Sequence, residues 1–213
     1  MALTSASPAR ICIVMLLLAL PVAGQEARFV AHPSMNFFVT SKGLDGGNLG
    51  GLAGADYHCQ QLADAAGSPK TFYAYLSNRP SNGTTTLHAK DRIGKGPFYN
   101  AKGMLIARDV AELHSKPDAI NRETALTEKG EAVARHDILT GSQSDGTAYP
   151  DRVDVNDHTC VGYTSNSRGA IQLGHSDRSG GSSWNSAHLS KGCSQASLAS
   201  TGGAGQFYCF AID

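Results

Sequence analysis

The chain has 213 residues, which bounds it to one domain or at most two. A chain near this size hides about 70% of its unfolded surface, so a real core is expected. Hydrophobic residues make up 41% and charged residues 17%, which excludes a disordered polyelectrolyte. Lys+Arg and Asp+Glu are equal at 18 each, and a neutral chain is a poor match to a nucleic-acid binder that works by neutralising phosphates.

Residues 1–24 read as a secretory signal peptide. Arg10 supplies positive charge, residues 11–20 are an apolar run, Pro21 breaks it, and Val22-Ala23-Gly24 offers a small-residue cleavage site. The run is too short to span a bilayer, which takes about 20 residues. A linker over 25–35 and a folded domain over 36–213 follow. The expected location is secreted or periplasmic, with no membrane span after cleavage. Cys12 leaves with the leader, so Cys59, Cys160, Cys193 and Cys209 remain. An even number in an exported chain implies disulfides, and spacing leaves all three pairings open.

Residues 35–40 (MNFFVT) predict an entering strand. A glycine-rich turn covers 43–51. Leu52, Ala55, Cys59, Leu62, Ala63 and Ala66 then recur at helical steps on one face, and Gly67 and Pro69 stop the helix. Residues 71–77 (TFYAYLS) alternate as a strand. A short hairpin is predicted over 98–106, a brief helix over 110–113 and a strand at Ile138-Leu139. Residues 141–157 form a long polar loop. Residues 159–164 (TCVGYT) read as a strand holding Cys160, and 165–206 as mainly irregular. Residues 205–212 (GQFYCFAI) read as the closing strand.

The glycine-rich turn followed by Gly54-Ala55-Asp56-Tyr57-His58-Cys59 resembles the first helix of endostatin, the C-terminal domain of collagens XV and XVIII. The TFYAYLS strand, Asp91-Arg92, Gly141-Ser142 with Asp145-Gly146, and the last three cysteines fall in the same order, over about residues 36–211. The resemblance implies a C-type-lectin-like α+β fold with two helices, short strands and long stapled loops. It also implies nested disulfides, Cys59–Cys209 and Cys160–Cys193. That family holds zinc through N-terminal histidines and an aspartate. Here the N-terminal stretch has only His32, at a position that does not match. Leu49 and Leu52 stand where the family's heparin-binding arginines would lie. Neither property is carried over. The calcium-and-sugar motifs of C-type lectins are absent, and Trp184-Asn185-Ser186 lacks the aspartate of the last one.

Two polar constellations remain. Asp145, Asp151, Asp154, Asn156 and Asp157 crowd one loop with hard oxygen donors. They read either as a solvated loop or as a calcium or glycan rim, with Asp154 and Asp157 the candidate metal ligands. His175, Trp184, Asn185 and His188 form the second. There the indole either stacks on a sugar or fills the core. No G-x-S-x-G elbow, H-E-x-x-H helix or phosphate loop occurs, so no catalytic residue is expected. The expected function is a secreted, non-enzymatic module that binds a glycan or an extracellular protein through 141–192. The alternatives are a structural protein of the cell envelope and, behind it, a secreted hydrolase.

Overall fold

A computed structural model describes residues 1–2, 29–78, 85–116, 118–150 and 157–213. Of the leader reading, residues 1–24, all but the first two residues lie outside the described residues. Among the described residues, no helix is long and apolar enough to cross a membrane.

The architecture is mixed α+β. Strand β1 (Phe37–Val39) enters the sheet, and helix α1 (Gly51–Ala65) follows. Then come β2 (Phe72–Ala74), a hairpin of β3 (Phe98–Tyr99) and β4 (Leu105–Ala107), and helix α2 (Val110–Ser115). Strands β5 (Asp137–Leu139), β6 (Gln172–His175), β7 (His188–Leu189) and β8 (Gly203–Ala211) complete the sheet. The sheet has six strands in the order β1-β8-β5-β6-β7, with β2 also paired to β8. β8 meets β1 and β2 antiparallel and β5 parallel.

Side chains alternate across a strand, so a sheet covered on both faces reads as a continuous apolar run. β8 does so. Phe207, Cys209 and Ala211 face the core under α1, while Tyr208 and Phe210 face a second core with Trp184, Phe98 and Ile120. α1 buries Ala55, Cys59, Leu62 and Ala63 as its spacing predicts, and Gly67 ends it with φ +81°. Gly54 is required for packing, because a Cβ there would collide with the Leu49 carbonyl.

One expectation is corrected. Residues 159–164 are not a strand. Cys160, Val161, Gly162 and Tyr163 all have positive φ, between 52° and 65°, and form a left-handed turn. Such backbone costs roughly 1–2 kcal/mol per non-glycine residue. Local hydrogen bonds offset this: Asp157 accepts from the Thr159 and Val161 N–H groups, and Thr159 Oγ1 accepts from Gly162 N–H. Residues 165–206 are largely irregular as expected, with β6, β7 and the short helix Gln195–Ala199 set among loops.

Both disulfides form in the nested pairing, Cys59–Cys209 across 150 residues and Cys160–Cys193 across 33. The first ties α1 to β8. The second ties the left-handed turn to the segment before Gln195–Ala199. Loop-closure entropy assigns about 5 kcal/mol to the outer bridge and about 4 kcal/mol to the inner one. Paired Cys→Ala variants are expected to rank in that order in urea denaturation, with the Cys59/Cys209 variant the less stable.

Candidate functional site

Asp137 is fully buried and opens β5. Register with the neighbouring strands brings imidazoles to it. Asp137 lies opposite His175 on β6, and His188 on β7 lies opposite Leu173, two residues from His175. Residues two apart on a strand share a face, so Asp137, His175 and His188 stand together. His136 joins from the preceding position. On the other side Asp137 faces Gly203 of β8, where an added Cβ would press to 3.2 Å from the Asp137 Cβ.

The three Nε2 atoms converge on one carboxylate oxygen. His136 stands 3.1 Å from Asp137 Oδ1, His175 3.2 Å and His188 3.4 Å. None is in hydrogen-bonding orientation, and both Asp137 oxygens are buried without a hydrogen-bond partner. His136 and His188 are about one third exposed, at 34% and 36%, so the cluster reaches the surface. Burial holds the His175 imidazole below its usual pKa, against the opposing pull of Asp137. Donor atoms of His136, Asp137 and His175 lie within 4.8 Å of one another and could hold a metal ion.

The second ring nitrogen of each histidine faces an oxygen. His188 Nδ1 is 2.9 Å from the Leu189 carbonyl, and His175 Nδ1 is 3.2 Å from Ser179 Oγ. His136 Nδ1 is 3.7 Å from Asp177 Oδ2, which also pairs with Arg122 at 3.1 Å. Burial would raise the Asp177 carboxyl, but the Ser179 N–H, His136 and Arg122 hold it below its usual value.

The structure separates the sequence candidates. His175 and His188 belong to this cluster. Trp184 does not: it is 2% exposed, packed on Tyr75 and Tyr208. The indole is therefore core packing, although it also borders the cleft beside Asn185. Asn185 is also buried. Its Nδ2 donates to Tyr75 Oη and to the Gln143 and Ser144 carbonyls, and its Oδ1 accepts from Ser183 Oγ. That amide is fully used in joining the loops. Asp145 accepts from the Thr147 N–H and hydroxyl, which holds its carboxyl below the usual range. Asp157 is spent on the left-handed turn. Asp154 and Asn156, like Asp151, lie outside the described residues.

Sequence reasoning missed His136 and Asp137. The available signal was an aspartate directly before the buried pair Ile138-Leu139, in a segment already read as a strand. What it lacked was the register that places His175 and His188 beside it.

Two clefts flank the segment 176–182. One, of about 320 Å³, is lined by Arg122, Ala132, His136, Ser176 and Asp177. The other, of about 250 Å³, is lined by His114, Ser144, Arg178, Ser183 and Asn185. The chain matches no protein-family model and no curated protein.

Because Asp157 serves the backbone, Asp157→Ala is expected to lower stability by about 1–2 kcal/mol. Urea denaturation should give the same loss with calcium and with chelator. A loss seen only in calcium would restore the calcium reading of this loop.

Proposed function

We propose that the protein is an exported, non-enzymatic binding module with an endostatin-like, C-type-lectin-like fold. Its ligand is a glycan or a segment of an extracellular protein, met by the loop surface 141–192. Two disulfides and the absence of a membrane-length helix among the described residues fit an extracellular or periplasmic protein. The observation that carries the reading is the pair of clefts on either side of 176–182, one mainly polar and the other mainly apolar with polar groups in its lining. Concave sites lined by a few fixed polar groups are where small ligands and chain segments bind. Arg122 and Asp177 are placed in one cleft and Arg178 and Ser144 in the other, where they can take hydroxyls, carboxylates or peptide groups. The fold assignment rests on the sequence motifs and on the nested disulfide pairing, so its functional weight is that of analogy.

The test is a glycan array and a panel of extracellular matrix proteins, probed with the full oxidised chain. Binding to one ligand class is expected, with Arg122→Ala or Arg178→Ala lowering affinity about tenfold, the scale of a lost charge-assisted hydrogen bond. No binding to either panel would remove the recognition reading and leave the envelope-structural alternative.

One observation favours an enzymatic second reading. Ser179 Oγ is hydrogen-bonded to His175 Nδ1 at 3.2 Å, and His175 Nε2 stands 3.2 Å from Asp137 Oδ1 without a hydrogen bond, the order of a serine–histidine–carboxylate set. Against it, Asp137 Oδ1 is shared with two further imidazoles. Hydrolysis of an activated acyl ester that Ser179→Ala abolishes would make the protein a hydrolase.

A further inference from the structure

We infer that His136, Asp137 and His175, with His188 joining from beside them, form a binding site for a single divalent transition ion of the zinc type. The inference does not rest on the glycan or protein ligand proposed above, and the site lies on β5, β6 and β7 rather than near His32.

The first argument is distance. Zinc bonds to nitrogen and carboxylate oxygen are about 2.0–2.1 Å, so neighbouring donors on a tetrahedron stand about 3.3 Å apart. The three Nε2-to-Oδ1 separations are 3.1, 3.2 and 3.4 Å. With the donor atoms of His136, Asp137 and His175 all within 4.8 Å of one another, two imidazole nitrogens and a carboxylate oxygen are within reach of one ion, and His188 stands beside them against the same oxygen.

The second argument is the carboxylate itself. Asp137 is fully buried with neither oxygen hydrogen-bonded. An unpaired buried carboxylate is among the most costly groups a protein can hold. Hydrogen bonds from the imidazoles would relieve it, yet the rings are not oriented to give them. A cation at this carboxylate would offset its burial without requiring a hydrogen bond.

The third argument is the outer shell. Histidines that bind metals usually donate their other N–H to a carbonyl, carboxylate or other acceptor, which fixes the tautomer. Leu189 O, Ser179 Oγ and Asp177 Oδ2 stand at the three Nδ1 atoms. For His175 and His188, donation from Nδ1 to these oxygens would leave Nε2 as the lone pair, whereas Asp177 at 3.7 Å is an ion-pair neighbour of His136. Three imidazoles and one carboxylate suit zinc and its first-row neighbours and do not suit calcium, which takes six to eight oxygens.

The test uses the full chain with disulfides oxidised, stripped of metal with a chelator and titrated with Zn²⁺, Co²⁺ and Ca²⁺ at neutral pH. One Zn²⁺ per chain is expected, with a rise in Tm, visible absorption of tetrahedral Co²⁺, and no response to Ca²⁺. His175→Ala and Asp137→Asn should each weaken zinc at least 100-fold, and His32→Ala should leave it unchanged. Should Asp137→Asn fail to fold, His136→Ala and His188→Ala replace it, since both rings are partly exposed. Absence of stoichiometric zinc binding would overturn the inference. So would zinc binding that the His136 and His175 variants leave intact, or binding that His32→Ala removes.

Discussion

Strand β8 is the constraint on which the rest depends. It pairs with three strands and fills both cores with alternate side chains. Cys209 then fixes it to α1 from within one of those cores. Its first residue, Gly203, opposes Asp137. The strand that closes the fold therefore also sets where the site's carboxylate sits. A larger residue at 203 would press on Asp137 and disturb the sheet and the cluster together. Fold and site are coupled at that contact.

Hydrogen-bond satisfaction separates structural polar groups from site groups in this protein. The Asn185–Tyr75–His114 network is buried, yet every group in it has a partner. Tyr75 Oη meets His114 Nε2 at 2.7 Å and accepts from Asn185 at 2.9 Å. Burial raises the Tyr75 phenol well above its usual pKa and keeps it neutral. Such networks hold loops in one arrangement and need nothing further. The Asp137 cluster is the opposite case, with equal burial at its centre and no hydrogen bond to either oxygen. A reading from residue types alone would rank the Trp184-Asn185 motif above the His136-Asp137 pair. The accounting of donors and acceptors reverses that order.

What was legible in the sequence follows from how local the signal is. α1 was legible because its apolar face repeats within one helix, and β8 because an apolar run of that length has few other uses. The left-handed turn at 160–163 was not. TCVGYT has strand composition, and its backbone is set instead by Asp157, by Thr159 and by the bridge to Cys193. Tertiary contacts overrode propensity there. At the site, His175 and His188 were chosen for their nearness to Trp184. They belong to the cluster, but for a different reason. Asp137 on β5 gathers them from β6 and β7, and strand register is not written in any one strand.

The two halves of the sheet are secured by different means. β8 and α1 share a covalent bridge, and the left-handed turn shares another. β5, β6 and β7 have none, and β7 is only two residues long at the outer edge. Short edge strands are held weakly by backbone pairing alone. Yet the ridge 176–182 between the two clefts hangs from this part of the sheet, anchored by the His175 N–H bond to the Ser183 carbonyl. An ion shared by Asp137 of β5, His175 of β6 and His188 of β7 would cross-link the three strands at the base of that ridge. The proposed metal and the proposed recognition surface thus meet at one mechanical point: the ion fixes the strands from which the binding loops project.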